Sequence, residues 1–414
     1  MNDKELYSNI LGIKNPWTVT DVTLDLKGKT VTIHVEHDAN QKLSCPECGE
    51  ESPGYDRNVR KWRHLDTCQM TTIIECEVPR VSCKTHGVKQ VRVPWAETNS
   101  HFTALFEALV INWLKETSIS GVAQLLGLTW DQTSGIQERA VKRGLKRRKD
   151  KPLKNISIDE TSFQKRHEYV TAIYDKDHDI VLDILDDRKS ATLEQWLKNR
   201  PKRHRKSLKT ISMDMWDPFI LAVKNSIPDY QDKICFDRFH VAQHFSNAVN
   251  KVRAQEHRAF LKNGVDSPLT RTKYDWLRNA GKIDNRSRRE FMLLTKLSLK
   301  TARAWAIKET ASRLWNYSYR GSAEKAWRHL LGWICRCRLD PVKKVGKTIK
   351  RYLWGILNAV ILKVSNAVAE SKNATIQWIK KKACGFRSRQ RFRMAILFHL
   401  GGLDLMPETC KNYE

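Results

Sequence analysis

Five runs rich in β-branched and aromatic residues lie close together between residues 156 and 237, and their order limits the folds open to this chain. The first three predict an antiparallel meander because only short charged turns separate them: ISIDETSF, YVTAIY and IVLDIL. A helical segment, ATLEQWLKNR, precedes the fourth run, KTISMDM, and another, DPFILAVKNS, precedes the fifth, KICFD. The pattern is then helical from about residue 240 to 380. This succession of elements is the order of an RNase H-like sheet.

The first and the fourth of these runs carry the carboxylates that matter for a metal site. Asp159 lies inside the first run and Asp214 at the end of the fourth. Burying an unpaired carboxylate there would cost on the order of several kcal/mol. In an RNase H-like sheet the first and fourth strands are neighbours, so the two carboxylates would meet at one edge. Glu160 and Asp217 are nearby substitutes, but Asp159 and Asp214 directly follow the alternating apolar residues.

A third carboxylate, Glu370, stands just upstream of a strongly basic run. If residues 357–382 form one helix, its 3.6-residue period places a polar stripe on one face: Lys363, Asn366, Glu370, Asn373 and Gln377. Carboxylates brought together from different elements suit two Mg²⁺ ions, or Mn²⁺, about 3.5–4 Å apart at a phosphodiester. We therefore expect Asp159, Asp214 and Glu370 to bind the catalytic metal ions.

Upstream, a β-hairpin pattern from Trp17 to Val35 leads into two knuckles, CPEC and CKTH. Each knuckle presents two ligands of the type that tetrahedral Zn²⁺ prefers, which predicts a structural zinc site in a zinc ribbon. The expected ligands are Cys45, Cys48, Cys83 and His86. Either Cys68 or Cys76 could replace one of them.

Three helical segments follow between residues 102 and 148: FTALFEALVINWLKE, SISGVAQLLGL and TWDQTSGIQERAVKRGLKRRK. Short helices around a glycine-containing turn are typical of a helix-turn-helix, whose last helix can lie in a major groove. The formal net charge of +28 favours a polyanionic partner, and basic runs at 142–154, 198–209 and 380–393 would bind phosphates. The residues expected to contact DNA are Lys142, Arg143, Lys146, Arg147, Arg148, Lys380, Lys381, Lys382 and Arg387.

Neither a signal peptide nor an apolar run long enough to span a membrane is recognisable, so we expect no membrane partner. The ten cysteines are then expected in a reducing compartment. The sequence predicts an α+β multidomain protein with a hairpin and zinc-ribbon domain at 1–98 and a helix-turn-helix domain with a basic linker at 99–150. An RNase H-like catalytic domain at 151–414 would follow.

In its ordered motifs the chain resembles the DDE transposases of the ISL3 family of bacterial insertion sequences. The likeness covers nearly the whole sequence. Its motifs are CPEC and CKTH, VPWAE before FTALFEALV, the helix-turn-helix, IDE, MDMWDPF, FDRFHV, and SNAVAESKN followed by IKKKACGFRSRQRFR. The chain departs from the family at His86, since family members often have a second cysteine pair there.

The resemblance implies that Asp159, Asp214 and Glu370 form the DDE triad. Asp237 and His240 match a D-x-x-H motif near the active site of related transposases, although Asp237 could equally cap a helix against which His240 packs. The 156 positions between Asp214 and Glu370 (370 − 214) imply a helical insertion at about 245–345.

The implied function is DNA transposition by a two-metal mechanism. The ribbon and helix-turn-helix would bind double-stranded DNA at the terminal inverted repeats, and the catalytic domain would also bind target DNA. Cutting two ends in one complex implies a homodimer, and the location would be the bacterial cytoplasm, at the nucleoid. Two alternatives remain: a domesticated DNA-binding regulator without catalysis, and an RNase H-like nuclease that cleaves without joining.

Overall fold

A computed structural model describes residues 2–164, 168–282, 285–297, 299–364 and 366–408. The chain clusters into two compact units. One comprises the chain up to Arg148 together with the C-terminal segment from Leu403, and the other comprises Lys149–Gly402. The sequence did not indicate that the chain returns to the first unit at Leu403.

The first unit combines a sheet with three helices beyond it. Its elements are α1 (Asp3–Ile10), β1 (Trp17–Asp25), β2 (Thr30–His37), β3 (Gly54–Thr67), β4 (Met70–Cys83), β5 (Gly87–Gln90), α2 (Ala104–Glu116), α3 (Ile119–Leu126) and α4 (Trp130–Arg147). The strand order is β1-β2-β4-β3, with β5 paired to β4. The hairpin expected before the first knuckle is β1–β2, and a second, longer hairpin, β3–β4, separates the two knuckles.

Three tryptophans hold the core of this sheet. Trp17 and Trp62 each pack edge-to-face on Trp95, with ring centroids 5.1 and 5.5 Å apart. All three rings are buried. Such contacts between large aromatic side chains supply much of the apolar area that a sheet of this size can bury.

Side-chain caps define the three helices α2, α3 and α4. The N-cap residues Thr103, Ser118 and Thr129 each accept a hydrogen bond from a backbone N–H of the first turn. Gly127 ends α3 in the left-handed region, at φ 64°, where a residue without a Cβ is favoured. The sharp turn expected at this glycine is thus confirmed.

The second unit contains a five-stranded mixed sheet. Its strands and intervening helices are β6 (Asn155–Gln164), β7 (Glu168–Asp175), β8 (Ile180–Leu185), α5 (Ser190–Lys198), α6 (Lys202–Ser207), β9 (Thr210–Met213), α7 (Asp217–Ser226), α8 (Tyr230–Lys233) and β10 (Ile234–Phe236). The order is β10-β9-β6-β7-β8, with an antiparallel meander and two parallel strands. The expectation that the first and fourth runs become neighbours is confirmed, since β6 pairs with β9.

The remaining elements of the second unit are helical. They are α9 (Arg238–Lys262), α10 (Lys273–Leu277), α11 (Asn285–Lys296), α12 (Lys300–Arg313), α13 (Arg320–Arg336), α14 (Asp340–Ile361), α15 (Ala367–Lys382) and α16 (Arg389–Leu400), with short 3₁₀ segments at Ala280–Lys282 and Leu314–Asn316. Among the described helices, none has a stretch that is both long and apolar enough to cross a membrane.

The expectation of one helix over 357–382 is wrong. The helix α14 ends at Ile361, Lys363 takes a left-handed φ of 51°, and α15 starts after Asn366. The two helices contact different strands. The helix α14 lies against β10, where a Cβ on Gly355 would come within 2.5 Å of the Phe236 ring, whereas α15 hydrogen-bonds to β6. One straight helix would not make both contacts.

Candidate active site

The strands β6 and β9 bring two acidic side chains together. Asp159 lies within β6, and Asp214 follows the last residue of β9. Together with His240, near the start of α9, they form a group whose potential ligand atoms all lie within 4.8 Å of one another. The two strands are parallel neighbours, which explains why residues 55 positions apart (214 − 159) meet at one edge of the sheet.

Burial and mutual repulsion govern the charges of this group. Burial, and then the negative charge of Asp214, raise the pKa of Asp159 to about 7. Burial acts to lower the pKa of His240, but the hydrogen bond from its Nε2 to Asp214 Oδ1, 2.8 Å long, and the surrounding carboxylates raise it above its usual value. A site with excess negative charge that is partly removed from water favours a bound cation.

Asp237 lies where α9 begins, and its carboxylate accepts a hydrogen bond from Asn366 Nδ2 at 3.5 Å. Its side chain accepts a hydrogen bond from the Phe239 N–H and caps α9, as one of the sequence interpretations required. It also lies 3.8 Å from His240 Nε2. Asp237 therefore both caps α9 and lies near the acidic group, because α9 begins beside the end of β9.

Part of the polar stripe expected on the helix that carries Glu370 faces the sheet, namely Asn366, Asn373 and Gln377, whereas Lys363 lies before α15 and donates to Tyr317 O. Asn373 Nδ2 donates to Asp159 Oδ2 at 2.7 Å, and Tyr174 donates to Asn373 Oδ1 at 2.6 Å. Seven residues earlier, Asn366 Oδ1 accepts from Ser157 and Ser212, which lie on β6 and β9. The stripe thus docks the start of α15 on the two strands that carry the acidic residues.

Glu370 lies on α15 between those two asparagines in helical register, four residues after Asn366 and three before Asn373. It is exposed, and its charge contributes to the raised pKa of Asp237, after burial and the charges of other neighbours. The acidic group within 4.8 Å includes Asp159, Asp214 and His240 but not Glu370. The structure therefore brings Asp159, Asp214 and His240 together but does not bring the Glu370 carboxylate into this group.

The two substitute carboxylates are bound elsewhere. Glu160 points to Arg188, whose Nη1 lies 3.3 Å from Glu160 Oε2. Asp217 accepts hydrogen bonds from Arg351 at 3.1 Å and from the Tyr352 hydroxyl at 2.6 Å. Because each has a partner outside the acidic group, Asp159 and Asp214 are the better candidates.

In the first unit, the four predicted zinc ligands come together. Cys48 and Cys83 Sγ are 3.7 Å apart, and His86 Nδ1 is 3.8 Å from Cys45 Sγ and 3.6 Å from Cys83 Sγ. Backbone N–H groups of His86 and Thr85 help to lower the pKa of Cys83 to about 6. Three sulfurs and one imidazole nitrogen at this spacing fit a tetrahedral zinc ion.

Neither alternative cysteine belongs to this group. Cys76 is buried in the core of the sheet, and Cys68 lies exposed in the turn between β3 and β4, with φ of 50°. Among the described residues, the cluster therefore consists of the four cysteine and histidine side chains of the two knuckles.

Comparison with protein families accounts for most of the chain. A family of ISL3 transposases, described as "Transposase", matches residues 156–396, more than half of the sequence. This chain belongs to the ISL3 transposase family. The zinc finger of transposases IS204, IS1001, IS1096 and IS1165 matches residues 41–86, and the helix-turn-helix domain of transposase family ISL3 matches residues 91–141.

Individual transposases are similar over nine tenths or more of their lengths. The chain is 26% identical to the transposase for insertion sequence element IS1557 of Mycobacterium tuberculosis, over 97% of this chain and 96% of that protein. It is 22% identical to the transposase for insertion sequence element IS1001 of Bordetella parapertussis, over 89% of this chain and 91% of that protein. The ISL3 chain is therefore an insertion-sequence transposase with a zinc ribbon and a DNA-binding helix-turn-helix.

The transposase's expected DNA contacts on α4 occupy different environments. Lys142 and Lys146 are exposed, and Lys142 is paired with Glu138. Arg143 has a side chain only 8% exposed and is paired with Glu97 and Glu107. Such a buried network holds α2 and α4 together, so Arg143 has a structural role here and no free face for a phosphate.

The C-terminal segment also contacts α4. Arg147 donates to Met406 O at 2.5 Å and is paired with Asp404 and Glu408, while Arg148 follows the end of the helix. Arg147 is thus neutralised by the segment that returns to this unit.

The expected DNA contacts near residue 380 also differ. Lys380 donates to Ser162 O and Oγ at 3.0 Å and anchors α15 to β6. Lys382 stacks over Trp378, with 4.7 Å between its Nζ and the ring centroid. Lys381 and Arg387 are exposed. These two side chains are therefore more accessible to DNA than Lys380 and Lys382.

Sequence reasoning missed Tyr174, Arg188 and the Glu107 network. A tyrosine in an apolar strand gives no signal beyond core packing. Glu107 did offer one, since it occupies a position in the apolar spacing of α2 that a solvated carboxylate would avoid.

Proposed function

We propose that this transposase cleaves DNA at the ends of its insertion sequence and joins the freed 3′-hydroxyl to target DNA by a two-metal DDE mechanism. Asp159, Asp214 and Glu370 would hold two divalent cations, Mg²⁺ or Mn²⁺. The approach of Asp159 and Asp214 on adjacent strands is the observation that carries the proposal. The oxygen donors suit these hard cations.

The metal ions, when bound, supply activation of the attacking oxygen and stabilisation of the leaving oxygen. The chain's own residues hold the carboxylates in position. Asn373 fixes Asp159 through Oδ2, and His240 fixes Asp214 through Oδ1. Glu370 would complete the site from α15. Since water and the 3′-hydroxyl are the attacking groups, no Ser or Tyr nucleophile is needed.

The strand order supports an RNase H-like assignment for the second unit, with β6, β7, β8, β9 and β10 in the succession expected from the sequence. The helices between β10 and α15 would be the helical insertion predicted at about 245–345. This assignment would explain how Glu370 joins two aspartates that precede it by more than 150 positions (370 − 214 = 156).

The zinc ribbon, with Zn²⁺ on Cys45, Cys48, Cys83 and His86, and the helix-turn-helix would recognise the terminal inverted repeats. Exposed cations such as Lys142, Lys146, Lys381 and Arg387 would add phosphate contacts whose strength falls with salt. Synapsis of two ends would require at least a homodimer, acting at the bacterial nucleoid.

The deciding experiment incubates purified protein with Mg²⁺, labelled DNA carrying an element end and its flank, and a plasmid target. Wild type is compared with Glu370→Gln, and with Asp179→Asn as a carboxylate control, because Asp179 pairs with Lys372 of α15 away from the acidic group. We expect strand transfer by wild type and by the control, and none by Glu370→Gln.

The two competing functions give different products in the same assay. Specific binding without cleavage by any variant would identify a DNA-binding regulator. Cleavage without joined products would identify a nuclease. Cleavage by Glu370→Gln at the wild-type rate would remove Glu370 from the triad.

A further inference from the structure

An open cleft of about 730 Å³ lies in the second unit between the β8–α5 connection, the start of α7 and α14. Trp216, the N-cap residue of α7, lines it two positions after Asp214. The volume falls in the range of about 300–1,000 Å³ that is typical of pockets for single small molecules, so it suits a nucleotide better than a double helix.

The wall of the cleft is apolar. Trp216 is 39% exposed, Leu221 is also exposed, and Ile220 lies beside them on α7. An exposed indole ring gives up the favourable free energy of burying a large apolar side chain. Trp216 is exposed in this way close to the candidate active site. The exposed ring is therefore available to stack on a planar group.

The rim of the cleft is cationic. Lys189, Lys224 and Arg351 line it, and the carboxylate among them, Asp217, is already bonded to Arg351 and Tyr352. Aromatic and apolar walls combined with a positive rim are the features with which proteins bind unpaired nucleotides, whose bases stack while their phosphates meet lysine and arginine.

A chain of contacts ties the indole to the acidic strand. The Arg188 guanidinium lies 5.3 Å from the Trp216 ring centroid and 5.3 Å from that of Tyr169. Arg188 also pairs with Glu160, the residue after Asp159. The backbone of Trp216 is fixed too, since its N–H donates to Asp214 O at 2.8 Å. The ring is thus held at a set position relative to both aspartates.

We propose that this cleft captures one unpaired base of the DNA next to the cleaved phosphodiester, by stacking it on Trp216. The inference rests on the proposed function, because it requires the DNA end to lie at Asp159 and Asp214. Trp216 is a substrate-binding residue in this view, and Arg188 positions it. Extruding a base costs its stacking in the duplex, and contact with the indole offsets that cost.

Photochemical crosslinking tests the contact directly. The probe is a duplex with an element end in which 5-iodouracil replaces single bases on either side of the cleavage point, irradiated with the full-length protein without added Mg²⁺. We expect a crosslink to the peptide that contains Trp216 from one position beside the cleavage point. It should be lost in Trp216→Ala, kept in Trp216→Phe, and unaffected by Trp378→Ala, which removes another exposed tryptophan.

Affinity provides the second measurement. Trp216→Ala should weaken binding to an end with unpaired flanking nucleotides by about ten-fold, the effect of one lost base-aromatic stack, and should alter binding to a fully paired terminal repeat less than about two-fold. An equal loss on both probes, or crosslinks that persist in Trp216→Ala, would overturn the proposal.

The two hypotheses fail separately because the crosslink needs no cleavage. A Trp216 crosslink in a protein that never cleaves would support base capture and contradict the transposition mechanism. Normal strand transfer by Trp216→Ala, together with no crosslink in wild type, would support the transposition mechanism and contradict base capture.

Discussion

Asn373 Nδ2 donates a hydrogen bond to Asp159 Oδ2 over 2.7 Å, although the two residues are 214 positions apart in the chain. The same amide accepts from the Tyr174 hydroxyl, which is buried in β7. This pair links the helix that carries Glu370 to the strand that carries the first aspartate. The geometry of the candidate triad therefore depends on an amide that would not itself bind metal.

Replacing Asn373 by alanine should lower strand cleavage without preventing DNA binding. Asp159 would lose the donor that orients it, and loss of such an outer partner typically costs about 10–100-fold in activity or metal affinity. Cleavage rates measured over a range of Mg²⁺ concentrations should show a higher Mg²⁺ requirement. Thr375→Ala, on the same helix and hydrogen-bonded to Ser371 O, is the control. An unchanged Mg²⁺ requirement would show that Asn373 does not position Asp159.

For the zinc site, Cys45→Ser should lower zinc content and recognition of the element end together. A tetrahedral site with three ligands left binds the ion weakly, and the ribbon depends on the ion for its fold. His86→Cys should retain zinc because a thiolate is an equally suitable ligand. Cys68→Ser should retain it as well, since Cys68 is exposed in a turn away from the cluster. Metal analysis of the four proteins measures this, and zinc-free wild-type protein would refute the site.

His64 should make the first unit less stable at acidic pH. Burial, and then the charge of Arg63, lower the pKa of His64 to about 4 from an ordinary 6.5. His64 Nδ1 lies 2.9 Å from Thr103 Oγ, which also accepts a hydrogen bond from the Phe106 N–H. The folded state thus binds fewer protons than the unfolded state between pH 6.5 and pH 4.

The direction of the pH dependence follows from this difference in bound protons. The stability from neutral His64 is fully present above pH 6.5 and is lost as the pH falls toward 4, by at most roughly 3 kcal/mol. Hydrogen exchange in β3 and α2, corrected for the intrinsic effect of pH, should show this loss in wild type. His64→Asn, which keeps an acceptor but does not titrate, should flatten that dependence, and an unaltered dependence in the variant would exclude His64 as its source.

Two glycines of α4 should respond oppositely to alanine. A Cβ on Gly144 would lie 2.6 Å from Leu403 Cβ, whereas a Cβ on Gly135 would meet only Arg139 Nη1 at 3.5 Å. Gly135→Ala should stabilise the protein by about 0.5–1 kcal/mol through helix propensity. Gly144→Ala should destabilise it, since overpacking costs roughly 1–3 kcal/mol.

Deleting the residues after Gly402 offers an internal check on the Gly144 prediction. With Leu403 removed, Gly144→Ala should become neutral or stabilising, while the truncation alone should destabilise the first unit because Arg143 and Arg147 lose their carbonyl acceptors. Thermal unfolding of the four proteins measures the coupling. A destabilising Gly144→Ala in the truncated chain would show that Leu403 is not the obstacle.

The local elements followed from the sequence where periodicity and capping agree with tertiary packing. The runs around Asp159 and Asp214 became β6 and β9, and the helix-turn-helix segments became α2, α3 and α4 with Ser or Thr caps. The two cysteine knuckles also follow from spacing, because the distance between ligands in a tight turn is set by the backbone.

The long-range polar contacts could not be predicted from the sequence. The break between α14 and α15 falls in a segment whose helical period continues through it, and only the separate packing of each helix on β10 and β6 decides where it lies. Arg143 and Lys142 are adjacent in a basic run, yet one is buried between Glu97 and Glu107 while the other is exposed. Charge pattern gives no information on which cation is already paired.

By itself the sequence determined the order of the strands around Asp159 and Asp214, the helix-turn-helix segments and the zinc ligands to expect. Short-range backbone preferences and the spacing of residues along the chain encode these features. The tertiary structure alone decided that Asp214 bonds His240, that Asn373 holds Asp159, and that Trp216 stands exposed beside them. These contacts join residues from separate elements, so they exist only once the sheet and its helices have packed.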